Sequence, residues 1–500
     1  MNSLLTYVSN LDRRVFTIDN LPEEVIAVVF AYVSRSPKGF RENLAKLLEE
    51  GQLQGGRAVS GDAGAERAQK IAGDFHERWV IGYGHSSVAE HAVVHVGIEG
   101  ISRLASAELE LGSRFNSFTE YSQRYQRPRR GAVYFPPELQ RDPESLSLYK
   151  GLQDRAFDVY EALYEGLLGE FARRVPRRDG ESERSHRIRI EKAAFEDARY
   201  ALTLATLTNL GLTGNGRAVR DAIVHLLSGP YTECRDLAVE LTQEVAGRLP
   251  TLLRHISPSD YLRGLARTWA AGTHGQDSGG ARSGPEVEWL SLPDYRESLV
   301  ALVTGLWLAH GGYDFEEARR RAEGMDPEDL EDMIRSSWEN LTVHDHPHEA
   351  FKTVVYRILL RVSEANWHQL LRHNRGADFT YGVPGGAGGW VIPPRVEEAG
   401  LAGLLTDFLA YSDEVREKIR GLCPEAVPYC VTNAHRREVV MTVNLWELYH
   451  LINLRTSPEA QWDIRQAFEM IDRELRDRHP ALIGGARRRS RVEAGTGVGR

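Results

Sequence analysis

Five hundred residues exceed what one ordinary hydrophobic core accommodates, so two domains are expected. A net charge of −9 does not supply the basic surface that a nucleic-acid backbone requires, which excludes a broad nucleic-acid partner. There is no apolar run of the ~18 residues that a membrane span needs and no basic-then-apolar leader in Met1-Asn2-Ser3-Leu4-Leu5; the three cysteines (Cys234, Cys423, Cys430) form no disulfide framework, so a cytoplasmic protein with no membrane partner is expected.

In chain order, Leu21–Leu48 shows helix-like apolar spacing, with Pro22 suited to an early helical position. Val93–Ile101 is rich in β-branched residues and reads as strand or helix. A charged stretch around Arg173–Arg189 reads as a surface insertion. Residues 272–285 are rich in Gly and Ser without an apolar period, and so read as a linker between domains at 1–271 and 286–484. Val354–Leu371 and Val439–Leu454 are amphipathic at the helical period, although Val354–Val362 also reads as strand. The last residues, 485–500, include Arg487-Arg488-Arg489-Ser490-Arg491 and read as a flexible basic tail.

Four landmarks recur in the same order on either side of the linker, the pattern of a tandem duplication. Gly84-His85-Ser86-Ser87-Val88-Ala89-Glu90-His91 matches Val343-His344-Asp345-His346-Pro347-His348-Glu349-Ala350. A split motif comes second. Val133-Tyr134-Phe135-Pro136-Pro137 matches Trp390-Val391-Ile392-Pro393-Pro394. Last, Glu196-Asp197-Ala198-Arg199 leading to Asn215 matches Glu425-Ala426-Val427-Pro428 leading to Asn444 at the same spacing.

The split motif is damaged in complementary ways. The first copy runs Thr119-Glu120-Tyr121-Ser122-Gln123-Arg124-Tyr125, with Gly112-Ser113 where Arg-His is expected. The second runs His368-Gln369-Leu370-Leu371-Arg372-His373-Asn374 and then loses the Ser-x-Arg end. Joined, the halves resemble the signature of the flavin-dependent thymidylate synthases. The resemblance implies an α/β (α+β) fold of two tandem synthase-like domains forming a pseudodimer, with Val93–Ile101 and Val354–Val362 as strands. A homodimer of such chains would restore the family's tetramer.

The resemblance also distributes roles. Deoxyuridylate (dUMP) would be held by Gln369, Arg372 and Arg455 from the second half and by Ser122, Gln123, Arg124 and Arg199 from the first. A phosphate dianion calls for such guanidinium forks. Each half keeps only the residues of its own side of one site, since Leu226 stands at the place of Arg455 and Pro428 at that of Arg199. FAD would lie against His373, Asn444, His85, His344, Glu120, Asn215 and Arg217. Asn374 and Trp446 depart from the arginines of the family pattern. The implied reaction is reductive methylation of dUMP to dTMP, with methylenetetrahydrofolate and NADPH as co-substrates. Arg372 and Arg124 would stabilise charge on the uracil, and Ser122 is a phosphate-binding hydroxyl rather than a nucleophile. A same-fold flavin enzyme acting on another pyrimidine nucleotide, or a non-catalytic nucleotide-binding protein, is the alternative. His344–Glu349 has the residue types of a metal site. It also matches the repeat without one, and no metal is expected.

Overall fold

A computed structural model describes residues 4–33, 36–49, 86–253, 256–269, 281–282, 284–342 and 345–486. The chain divides into two compact units. Unit 1 is Met1–Tyr121 with Leu207–Thr273, and unit 2 is Ser122–Thr206 with His274–Arg500. The expected boundary at 271 follows the local composition of the linker. The packing differs from it: Ser122–Thr206, although part of the first sequence repeat, belongs to unit 2. Residues 272–280 of the expected linker and 487–500 of the tail lie outside the described residues.

Unit 1 carries a three-stranded antiparallel sheet of β1 (Val93–Ser102), β2 (Ser117–Glu120) and β3 (Leu207–Asn215), in the order β1-β3-β2. In unit 2, β4 (Ala281–Arg282) pairs in parallel with a short β8 (Trp390–Val391). Its main sheet has the order β5-β6-β9-β7, from β5 (Glu286–Ser291), β6 (Val355–Ser363), β7 (Ala377–Tyr381) and β9 (Arg436–Asn444). The two sheets repeat one pattern. Phe118 faces Leu212 in unit 1 as Phe379 faces Met441 in unit 2, and Ser102 faces Leu207 as Ser363 faces Arg436. β1 differs by an irregularity between Glu99 and Ile101, where Gly100 takes a φ of 73° that disfavours any side chain.

Each repeat turns from strand into helix at a capping side chain. Ser102 and Ser363 accept from the backbone N–H groups of Ala105 and Asn366, opening the Arg103–Leu111 and Glu364–Leu370 helices. Asn215 and Asn444 do the same for Gly216–Ser228 and Leu445–Arg455. These caps account for a difference from the helical period read over Val354–Leu371 and Val439–Leu454. Each segment is a strand followed by a helix. Within β6, Tyr356, Ile358, Leu360 and Val362 are buried on one face, the period-two signal of a sheet, while Arg357 and Arg361 lie on the other. The Leu21–Leu48 helix is also divided, into Glu23–Val33 and Phe40–Glu49, with Pro37 and Gly39 in the interval. Around Arg173–Arg189 the chain ends the 32-residue Pro143–Arg174 helix and begins Glu183–Ala198. Exposed Arg173 pairs with Glu170 there, and Arg189 with Glu181.

Candidate functional site

Unit 2 gathers the expected substrate residues from both halves of the sequence. The Glu364–Leu370 helix and the following 3-10 turn, Leu371–His373, carry Gln369, Arg372 and His373. Glu364 and Arg437, both buried, form an ion pair at 3.1 Å that ties the start of this helix to β9. Arg455 ends the helix that Asn444 caps. From the first half, Ser122, Gln123 and Arg124 form a loop, and Arg199 opens the 3-10 turn Arg199–Ala201.

The centre of the cluster is Arg455. Its Nε donates to His373 Nε2 at 2.8 Å, and its Nη2 donates to the Gln369 carbonyl at 3.1 Å. Burial, together with repulsion from Arg372 and Arg124, pushes the Arg455 guanidinium down to about 10. The first half thus delivers Arg124 close enough to be felt by Arg455. Burial, and after it the neighbouring Arg455, His450 and Arg372, hold His373 well below the usual histidine range, so it is neutral and acts as an acceptor toward Arg455. Arg124 donates through Nε to Glu196 Oε1 at 2.9 Å and through Nη2 to the Glu459 carbonyl at 3.0 Å. Ser122 Oγ accepts from the Arg124 backbone N–H at 3.3 Å, the role of a loop hydroxyl. Asn433 donates to Gln123 Oε1 (3.2 Å) and to the Arg199 carbonyl (2.9 Å), holding these two expected residues together.

A second network, which the sequence did not reveal, sits behind Gln369. Gln369 Nε2 donates to the Ala365 carbonyl at 3.0 Å and to Gln461 Oε1 at 3.2 Å. Gln461 Nε2 donates to the Tyr200 hydroxyl at 2.9 Å, and that hydroxyl donates to Asp463 Oδ2 at 3.0 Å. Ser363 and Asn366 also donate to Asp463, which is fully buried. Tyr200, Gln461 and Asp463 all lie in segments that match the family pattern. Their polar character in an otherwise apolar context was the available signal.

Two further clusters invite a chemical reading. His373, Glu447 and His450 offer ligand atoms within 4.8 Å of one another. His373 Nε2, however, accepts from Arg455, which leaves the proton on Nδ1, 3.6 Å from Glu447 Oε1. A cation there would have to strip that proton or displace a guanidinium. Burial also pushes Glu447 up to about 7, which further reduces its charge. Asp413, His435 and Thr432 form a chain of hydrogen bonds at 3.0 and 2.8 Å with the residue types of a hydrolytic triad. Thr432 and His435 are 0% and 1% exposed, so a substrate has no approach to the hydroxyl.

The remaining expected cofactor residues fall elsewhere. His85 and His344 lie outside the described residues. Glu120, Asn215 and Arg217 belong to unit 1, and each is engaged within it. Glu120 is paired with Arg103 and accepts from Ser106; Asn215 Oδ1 caps its helix; Arg217 pairs with Glu90 at 2.7 Å. Asn444 Oδ1 is likewise occupied by the Glu447 N–H. His346 stacks on Trp446 at 4.4 Å, and Lys352 lies over the same ring. His348 Nδ1 accepts from the Ala350 N–H.

Counted from the two capping serines, Leu111 and Gly112 of unit 1 occupy the places of Arg372 and His373. This corrects the Gly112-Ser113 alignment by one residue. Counted from the two capping asparagines, Ala218 and Leu226 occupy those of Glu447 and Arg455. A Cβ added at Gly112 would lie 2.9 Å from Ala222 Cα, and Leu226 is 1% exposed within the apolar core. Unit 1 fills the space that the polar cluster occupies in unit 2.

Among the described residues no helix is long and apolar enough to cross a membrane. The chain is 25% identical to a UPF0159 protein of Chlamydia muridarum, over 95% of this chain and 92% of that protein. It is 28% identical to a flavin-dependent thymidylate synthase of Clostridium tetani, over 48% of this chain and 83% of that enzyme. A UMP/dUMP methylase, PolB, from Streptomyces cacaoi, solved with 5-Br dUMP, aligns over 41% of this chain and 96% of its own, at 16% identity and a TM-score of 0.35. The family described as thymidylate synthase complementing protein matches residues 18–251 and 308–481. Matched over more than half its length, in two segments that correspond to the two repeats, the chain belongs to the flavin-dependent thymidylate synthase family.

Proposed function

We propose that this chain catalyses reductive methylation of dUMP to dTMP, using a flavin, methylenetetrahydrofolate and NADPH. The observation that carries the reading is the cationic cluster of unit 2. Arg455, Arg372 and Arg124 lie close enough for the first to be pushed down to about 10, and the acceptors bonded to Arg455 are neutral. A cluster of arginines whose mutual repulsion lowers Arg455 is matched by a dianionic phosphate and by negative charge developing on a pyrimidine ring.

The chain's own residues divide the work. Arg124, Ser122 and Arg199 take the phosphate end, so Arg455 stands in for Arg124 in the role expected beside Arg372 at the ring. Arg372 and Arg455 face the ring, where a positive guanidinium stabilises an electron-rich uracil as its C5 attacks. Gln123 and Gln369 are held by Asn433 and Gln461 for polar contact with the nucleotide. A flavin, when bound, supplies the hydride and the one-carbon transfer. The donor set of unit 2 fits such a group in charge, because the neighbouring guanidiniums of Arg455 and Arg372 favour the anion of a reduced ring. His373 and Asn444 of unit 2 would hold it.

The test is an absorbance spectrum of purified protein with added FAD, followed by titration with dUMP. A flavin band that shifts on nucleotide addition supports one shared pocket. Absence of flavin uptake at any concentration would sink the enzymatic reading.

A further inference from the structure

Glu196 and Arg395 stand outside the expected site, yet both bear on Arg124. The Nε/Nη2 edge of Arg124 faces Glu196 Oε1, with both nitrogens at 2.9 Å. Glu196 Oε2 accepts from Arg395 Nη2 at 2.8 Å. Arg395 also pairs with Asp197 at 2.6 Å, and fully buried Asp197 accepts from Trp462 Nε1 at 2.9 Å. The series therefore runs from a buried indole and carboxylate, through Arg395 and Glu196, to a partly exposed guanidinium. It joins second-half residues (Trp462, Arg395) to first-half ones (Asp197, Glu196, Arg124).

We infer that Glu196, braced by Arg395, is a positioning residue that fixes the Arg124 guanidinium for an anionic phosphate; this rests on the nucleotide-binding reading above. The fork is pinned along one edge, which leaves its Nη1 side for a ligand. An unpinned arginine carries rotamer freedom that binding would have to remove. The opposite expectation is that Glu196 competes with the phosphate for Arg124. The geometry weighs against it, because Glu196 occupies only the Nε/Nη2 edge of Arg124, and Arg395, which it shares with Asp197, offsets part of its charge while its hold on the fork remains. The third landmark of the repeat has Glu138 in the first half at the place of Arg395, so the brace belongs to one copy alone.

The test compares dUMP with deoxyuridine, which lacks the phosphate, in wild type and Glu196→Ala. This substitution leaves the buried Asp197–Arg395 pair in place, and an unchanged melting temperature would verify the fold. The expected result is a dUMP Kd raised ~10-fold with deoxyuridine affinity unchanged. Arg395→Lys, which keeps the charge but loses the two-pronged grip, should give a smaller rise confined to the nucleotide. Tighter dUMP binding in Glu196→Ala would establish competition and overturn the proposal. An equal loss for both ligands would mean a merely structural role and overturn it too. A wild-type protein that binds neither ligand would instead remove the nucleotide-binding reading, and this inference with it.

Discussion

Arg455→Met should make the protein a poorer binder and no less stable. In the folded chain burial, Arg372 and Arg124 push this guanidinium down from its ordinary range to about 10. At about 1.4 kcal/mol per unit, the charged form costs the fold about 3 kcal/mol, reduced somewhat by the side chain's partial exposure. For a cation with a depressed folded value, this cost is fully present at pH 7 and disappears only as the pH rises past about 10 toward the ordinary guanidinium range. The substitution removes that cost. It also deprives His373 Nε2 and the Gln369 carbonyl of a donor, at about 1 kcal/mol each. The two effects nearly cancel, so the melting temperature should stay within a few degrees of wild type. Binding has no such compensation. Loss of a charged donor to a dianionic or electron-rich ligand costs about 2–4 kcal/mol, or ~30- to 1000-fold in Kd. The assay pairs thermal melts with calorimetric titration of dUMP. A fall in melting temperature of ten degrees would refute the electrostatic argument, and a dUMP Kd within threefold of wild type would refute the place given to Arg455.

Because unit 1 has Leu111, Gly112, Ala218 and Leu226 where unit 2 has its polar cluster, equilibrium dialysis should find one dUMP per chain; two per chain would contradict the filled-site reading. Gly112→Ala places a Cβ 2.9 Å from Ala222 Cα and should cost about 1–3 kcal/mol, read as a lower melting temperature. Asp463→Ala strands the three donors Ser363, Asn366 and Tyr200 and should cost about 3–5 kcal/mol by chemical denaturation. Burial pushes Glu447 from 4.5 up to about 7, so the folded state binds a proton that the unfolded chain releases, and stability falls as pH rises through that window. Glu447→Gln should flatten that fall, whose full size is about 3 kcal/mol; an unchanged slope between pH 5 and pH 8 would show that another group causes it.

The duplication, the matched places of Asn215 and Asn444, and the complementary loss of arginines were all legible in the chain, because they are local patterns repeated at fixed spacing. So was the set Gln369, Arg372, Arg455, Ser122, Gln123, Arg124 and Arg199, which unit 2 gathers. The strand over Val354–Val362 was among the expectations, but the helical period read across the whole of Val354–Leu371 and Val439–Leu454 failed because each segment joins a strand to a helix across one polar cap. The apolar residues of the two elements run together, and a window that spans the cap averages two periodicities.

Other features were decided only by the tertiary structure. Composition places a boundary where the chain becomes Gly- and Ser-rich, but the assignment of Ser122–Thr206 to unit 2 depends on which surface its apolar faces meet, and no local signal reports that. The same is true of the positions where a residue's neighbours set its chemistry. Sequence alone shows that Arg455, Glu447 and Glu196 are ionisable. It does not show that two guanidiniums crowd the first, that burial raises the second, or that Arg395 and Arg124 share the third. Residue type is encoded in the chain, whereas the field at each side chain depends on distances between residues hundreds of positions apart.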